Sequence, residues 1–146
     1  MKIAIIGCGN MGLAFARSFL KFDLVKKEDL LLIEKSSDRC AVLRESKEGV
    51  IIQVISKDIQ AYDLVILAIK PQDFGDMASD LKGIMLENQV VLSIMAGIPI
   101  KKIQDSLQHK AVVRAMPNTP AMLGMGITGF TSAEGISIAK LFKVEN

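Results

Sequence analysis

Histidine occurs once and cysteine twice in the 146 residues. The cysteines, Cys8 and Cys40, have no spacing that would build a disulfide framework or a zinc site, which suits a reducing cytoplasm. With a single histidine and no Gly-x-Ser-x-Gly segment, the chain lacks the side chains for most metal-dependent and serine-hydrolase chemistry, so no metal is expected. His109 falls between a helical and an extended pattern, at the sheet edge away from any ligand, and is expected at the surface. No apolar run reaches the roughly 18 residues of a membrane helix. The run that ends at Cys8 resembles a lipoprotein cleavage site but is too short for a signal-peptide core. Neither charge dominates: 18 Lys and Arg against 16 Asp and Glu leave a net charge of +2. The two signs are interspersed, giving no electrostatic footprint for nucleic acid or an anionic membrane. Internal repeats and low-complexity segments are also absent.

What is abundant is apolar. Hydrophobic residues make up 50% of the chain and the mean hydropathy is +0.35, so either the core is large or some apolar surface is meant for a partner, such as a second copy. The length fits one domain with a substantial core. Its opening stretch, Lys2 to Gly12, is an apolar run ending in glycines spaced Gly-x-Gly-x-x-Gly. In a dinucleotide-binding reading each glycine has its own task. Gly7 permits the tight turn from strand to helix, Gly9 lets the backbone approach a pyrophosphate, and Gly12 lets the helix lie close on the sheet. The phosphates would sit at the helix N-terminus beside Cys8, Asn10 and Met11. Glycines also cluster in ordinary loops, so the reading depends on whether a helix, a second strand and a carboxylate come next along the chain.

Apolar residues at Met11, Phe15, Phe19 and Phe22 place one buried face on a helix running to about Lys21. The uninterrupted run 30–33 reads as a parallel strand buried on both faces. Glu34, 22 positions after Gly12, stands where a carboxylate accepts from an adenosine ribose 2′-hydroxyl. Lys35, Ser36, Ser37 and Arg39 come directly after it and suit a 2′-phosphate equally well, so NAD and NADP both stay open. The alternative is that Ser36 or Ser37 simply caps the next helix, with Asp38 in its first turn. That helix carries Cys40 and Leu43 inward and stops before Gly49, read as its cap.

Further strands are expected at 50–55, 63–69, 89–95 and 111–116. Between them lie a helical turn introduced by Ser56, a helix with Phe74, Met77, Leu81 and Ile84 on one face, and a helix opened by Pro99. Strands and helices alternate throughout, which predicts an α/β fold of the Rossmann type: a doubly wound, mostly parallel sheet with helices on both faces. In such a sheet ligands collect at the carboxyl ends of the strands. Lys70, just past one of them, would meet a cofactor phosphate or carboxamide there, or else be an exposed lysine before a helix-starting proline. The small residues Ala96 and Gly97 close another strand. Asn118, between Pro117 and Pro120, sits in a stiff turn that would hold its amide for a nicotinamide carboxamide or a substrate carboxylate. An Asx turn is the alternative, and the two are compatible.

Four stretches then agree in order and spacing: Ile6 to Gly12, Leu67 to Gln72, Ser93 to Ile98, and Arg114-Ala115-Met116-Pro117-Asn118-Thr119-Pro120. Together they resemble the N-terminal domain of pyrroline-5-carboxylate reductase, from Lys2 to about Phe130. The resemblance implies NAD(P)H-dependent reduction of 1-pyrroline-5-carboxylate to proline. It assigns cofactor binding to Gly7 through Gly12, to Glu34, Lys35 and Ser36 at the adenosine ribose, to Ala68, Ile69, Lys70 and Pro71, and to Ile94, Met95 and Ala96. Asn118 would lie beside nicotinamide and substrate. Glu34 is acidic, unlike the NADP-using members, and near the adenine this chain offers Ser56 or Ile55 where the family often has Asn. Met116 to Pro120 argues against a related reductase such as an F420-dependent NADP oxidoreductase, which shares the glycine loop. Residues 1–130 are expected to form the NAD(P)-binding domain. Thr131 to Glu134 reads as a capping box opening a helix over 131–146. Family members lead from such a helix into a C-terminal domain that dimerises, holds the substrate carboxylate and supplies the proposed proton donor. The chain is therefore expected to be a truncated, cofactor-binding half, with a catalytically incomplete nucleotide-binding module as the alternative to an active enzyme.

Overall fold

The computed structural model describes residues 2–117 and 127–132, with side chains described through Arg114. Seven strands form one sheet: β1 (Ile3–Ile6), β2 (Leu30–Ile33), β3 (Val50–Ile52), β4 (Leu64–Leu67), β5 (Val90–Ser93), β6 (Val112–Pro117) and β7 (Ile127–Ser132). The helices are α1 (Asn10–Lys21), α2 (Ser37–Ser46), α3 (Phe74–Leu81) and α4 (Ile100–Leu107). The strand order is β3-β2-β1-β4-β5-β6-β7; the first six run parallel and β7 returns antiparallel to β6. The expected doubly wound, mostly parallel sheet is therefore present.

Every residue of β1, β2, β4 and β5 is buried, because alternate side chains enter two separate cores. Ile3, Ile5, Leu30, Leu32 and Ile66 pack with Phe15, Phe19 and Leu43 of α1 and α2. Ala4, Ile6, Leu31, Ile33 and Leu67 pack with Phe74, Met77, Leu81, Ile103 and Leu107 of α3 and α4. An apolar run without alternation is what a strand needs when helices cover both its faces.

Several local expectations need correction. The strands are shorter than their apolar runs: β1 and β2 pair only over four residues, ending at Ile6↔Ile33, and β3 stops at Ile52 opposite Ile33. Residues 53–55, 68–70 and 94–96 thus leave the ladder at its carboxyl edge, where they are free to line a crevice. Met11 and Phe22, expected on the buried face of α1, are 39% and 43% exposed. Met11 is in the opening turn, and at Phe22 the helix has ended and Asp23 turns the chain through a left-handed conformation at φ 56°. Gly49 does not cap α2. Lys47 does, in the left-handed region, donating its N–H to the Leu43 carbonyl. What demands glycine at 49 is space, since a Cβ there would meet the Leu30 carbonyl oxygen at 2.8 Å.

His109 is not a surface residue; it is 7% exposed, with Nε2 2.6 Å from the Gln89 carbonyl oxygen. Facing an acceptor, that nitrogen must carry the proton. Thr131 and Ser132, expected to open a helix, are the last residues of β7 and pair with Arg114 and Val113. The rest of the expected helix, residues 133–146, lies outside the described residues, as does Asn118.

Candidate dinucleotide site

The order of the strands reverses between β1 and β4: from β1 the sheet grows outward to β2 and β3, then resumes on the other side. At the carboxyl edge of this switch point opens a crevice of about 560 Å³, the place where α/β sheets take ligands. It is lined by Gly7, Cys8 and Gly9 after β1, Glu34, Lys35, Ser36 and Arg39 after β2, and Gln53, Val54 and Ile55 after β3. Ala68, Ile69 and Lys70 after β4, with Asp73, Asp76, Met77 and Asp80 approaching α3 and along it, complete the lining.

The three glycines of the turn are required for different reasons. Gly7 has φ +97°, its N–H donates to the Ile33 carbonyl at 2.9 Å, and a Cβ on it would lie 2.8 Å from both the Ala68 carbonyl oxygen and Ile69 Cγ2. A Cβ on Gly12 would run into the Gly7 carbonyl oxygen. Gly9 differs: the nearest atom to a Cβ is Arg39 Nη1 at 3.6 Å, so the protein itself leaves room there. Two glycines are thus needed by the fold and the middle one by whatever enters. The N-terminus of α1 has no side-chain cap and no acidic residue in its first turn. Its N–H groups and positive dipole end are open to an anion. Asn10, Met11 and Gly12 supply that helix turn without lining the crevice.

Glu34 is 8% exposed. Its backbone N–H donates to Ile52 at 3.0 Å, which ties it to the end of the sheet. Oε2 accepts from the Ser36 N–H at 3.3 Å, and Oε1 stands 3.8 Å from Arg39 Nη1. Ser36 also caps α2, its Oγ accepting from the Arg39 N–H at 3.4 Å, so both readings of Ser36 coexist. The Cys8 thiol is no nucleophile: burial, then the neighbouring Glu34 charge, push its pKa up to about 12. Its Sγ faces the Ile33 carbonyl at 3.7 Å, and Cys40 Sγ donates to the Glu34 carbonyl at 3.0 Å. The two thiols therefore brace the end of β2.

Other expected residues lie elsewhere. Ser56 caps a short 3-10 helix, Lys57–Ala61, through the Asp58 N–H at 3.3 Å and does not line the crevice. Its place is taken by Gln53, Val54 and Ile55, which leave the sheet earlier than the apolar run implies. Pro71 opens the 3-10 turn Pro71–Asp73 that leads into α3. Ile94 and Met95 are held in the two cores, and Ala96 is exposed past the end of β5; none of the three lines the crevice. The acidic stripe Asp73, Asp76 and Asp80 escapes a reading by motif, although its helical spacing beside buried Phe74, Met77 and Leu81 is visible in the sequence.

A nicotinamide dinucleotide fits these residues: a turn that tolerates no Cβ at Gly7, an uncapped helix N-terminus, open space at Gly9 and a carboxylate at the end of β2. The family model described as "NADP oxidoreductase coenzyme F420-dependent" matches residues 2–97. The chain belongs to that family. Met116 to Pro120, the segment that argues against an F420-dependent reductase, lies outside the matched span. Curated relatives of this oxidoreductase chain carry the other name. Pyrroline-5-carboxylate reductase of Staphylococcus haemolyticus is 34% identical over 135 residues, covering 90% of this chain and 49% of its own length. That of Vibrio alginolyticus is 39% identical over 132 residues, covering 88% and 47%. Among solved structures, pyrroline carboxylate reductase of Plasmodium falciparum with NADP bound superposes with a TM-score of 0.80 at 22% identity, covering 99% of this chain and 52% of that one. The chain thus resembles the N-terminal part of these reductases and spans about half the length of the curated relatives it matches. Among the described residues no helix is long and apolar enough to cross a membrane, and no group of side chains is placed to hold a metal ion.

Proposed function

We propose that this chain binds a reduced nicotinamide dinucleotide, NADH or NADPH, in the switch-point crevice and serves the reduction of 1-pyrroline-5-carboxylate to proline. The observation that carries the reading is the division of labour among the glycines: Gly7 and Gly12 are dictated by packing, while Gly9 is dictated only by a ligand. The N–H groups of α1 seat the pyrophosphate, Glu34 accepts from the adenosine ribose, and Val54, Ile55 and Met77 offer apolar contact for the adenine. Lys70, exposed at the end of β4, supplies a cation to a phosphate or a donor to the carboxamide. Asn118 is proposed, from the resemblance, to hold the nicotinamide beside the substrate. When bound, the dinucleotide supplies the hydride for the imine carbon. The chain's contribution is alignment and exclusion of water.

Titration of the 146-residue chain with NADH and NADPH, followed by reduced-cofactor fluorescence, tests the binding step. Pyrroline-5-carboxylate-dependent loss of reduced cofactor tests the substrate. Binding of neither dinucleotide to the folded chain refutes the proposal, and oxidation with another imine but not this one refutes the substrate. The relatives' greater length favours a second reading, a nucleotide-binding module that binds but turns nothing over unaided. Saturable binding without oxidation by the chain alone would support it.

A further inference from the structure

We infer that Glu34 makes this chain select the unphosphorylated adenosine ribose, so that NADH binds in preference to NADPH; this rests on the proposed binding of a nicotinamide dinucleotide in the crevice. The family description and the Plasmodium falciparum structure both name NADP, so the inference runs against the expectation from kinship. It rests on how the carboxylate is held. The backbone of Glu34 is pinned to Ile52, and Oε2 is engaged by the Ser36 N–H. The remaining oxygen points to Arg39 at 3.8 Å, beyond hydrogen-bond reach. A nearly buried carboxylate with an unfilled acceptor position, on the wall of the crevice, asks for a donor. A ribose hydroxyl is one.

A 2′-phosphate is not. It brings close to two negative charges and acceptor oxygens only, and it would lie against a carboxylate that cannot swing out to water. Two cations stand near enough to argue the other way, Lys35 and Arg39, both exposed. Arg39 already faces Glu34, and its side chain is 61% exposed, where screening weakens its pull. Lys35 is exposed as well. With the carboxylate present, a phosphate meets a site whose nearest buried charge repels it. With the carboxylate neutralised, the same Arg39, Lys35 and Ser36 become a phosphate seat.

The test is a set of titrations on the full chain and the variants Glu34→Gln and Glu34→Gln/Arg39→Ala, with circular dichroism to show that each is folded. The ligands are NADH and NADPH, together with adenosine 5′-monophosphate and its 2′-phosphorylated counterpart to isolate the ribose end. The parent should bind NADH at least about tenfold more tightly than NADPH, the weight of one charge-assisted hydrogen bond gained against one like-charge contact. The nucleotide fragments should show the same order. In Glu34→Gln the ratio should fall to near one or invert, and removing Arg39 as well should abolish the gain in NADPH affinity. Equal or tighter binding of NADPH by the parent overturns the inference whatever the variants do, as does an unchanged ratio in a folded Glu34→Gln. Failure of the parent to bind either dinucleotide overturns the cofactor reading itself, and this inference with it.

Discussion

At the scale of single residues, the glycine turn makes a prediction that separates folding from binding. Gly7→Ala must place a Cβ in a left-handed conformation against Ala68 and Ile69, and Gly12→Ala must push α1 off the Gly7 carbonyl. Each should destabilise the chain by on the order of 2 kcal/mol or more in urea unfolding, through strain and lost helix–sheet packing. Gly9→Ala has ordinary φ and an unobstructed Cβ. It should change stability by less than about 1 kcal/mol, yet weaken dinucleotide binding on the order of tenfold or more by blocking the backbone's approach to the pyrophosphate. If Gly9→Ala binds as tightly as the parent, the crevice is not a pyrophosphate site. The cysteines offer a second check. Cys8 is 2% exposed with its pKa raised to about 12, and Cys40 is fully buried, so a thiol reagent at pH 8 should modify neither at a measurable rate until the chain unfolds. Rapid labelling of the native chain would show that the turn opens.

At the scale of elements, the edge of the sheet away from the crevice is organised by a buried polar cluster. Gln89 Nε2 donates to the carbonyls of Ile59 and Tyr62 at 2.8 and 2.7 Å, its Oε1 accepts from the Leu86 N–H at 2.8 Å, and His109 donates to its carbonyl. Gln89→Leu strands three backbone groups and should cost roughly 3 kcal/mol, while leaving the dinucleotide Kd unchanged because the site is at the opposite edge. At the surface, the Arg17 side chain makes two bonds to Glu48, at 2.9 and 3.2 Å, joining α1 to the segment before β3. The hydrogen bond to Arg17 lowers the Glu48 pKa against the opposing effect of burial. A lowered folded value means a contribution present above the ordinary glutamate range, about 4.3, and lost as pH falls through the folded value. With Arg17 exposed, it should amount to no more than about 1 kcal/mol. Urea unfolding of the parent and Glu48→Gln should therefore differ slightly at pH 7 and converge below about pH 4. Much at this scale is legible in the sequence: uninterrupted apolar runs mark strands covered on both faces, and the Phe15/Phe19 and Ile103/Leu107 spacings mark helices. What is not legible depends on register. Nothing local says that Val50 to Ile55 stops pairing at Ile52, because that limit is set by β2, so the apolar run alone cannot place Gln53, Val54 and Ile55 in the crevice. His109 reads as exposed because its partner, the Gln89 carbonyl, lies 20 positions away. Antiparallel β7 carries no turn signal that can be read, and Glu34 stands out only because its spacing from the glycine turn is a long-range regularity of the fold.

At the scale of the whole molecule, the crevice draws its walls from the segments after β1, β2, β3 and β4 and from α3, and these are held together only through the sheet. A ligand that touches all of them binds the folded chain and has no comparable site on the unfolded one, so its binding energy adds to folding stability. At a free concentration one hundred times Kd the addition is about 2.7 kcal/mol. For a chain of this length that corresponds to a rise in Tm of roughly 8 °C. Saturating NADH should therefore raise the melting temperature of the chain by several degrees, and the rise should grow with the logarithm of concentration. The Gly9→Ala variant should melt near the parent without ligand and show little rise with it, whereas Gln89→Leu should melt lower yet show the full rise. A shift that is equal in the parent and in Gly9→Ala would place the ligand somewhere other than the glycine turn. The combination of an unshifted baseline with a lost ligand response is reached only if the middle glycine is kept for the cofactor and its neighbours for the fold.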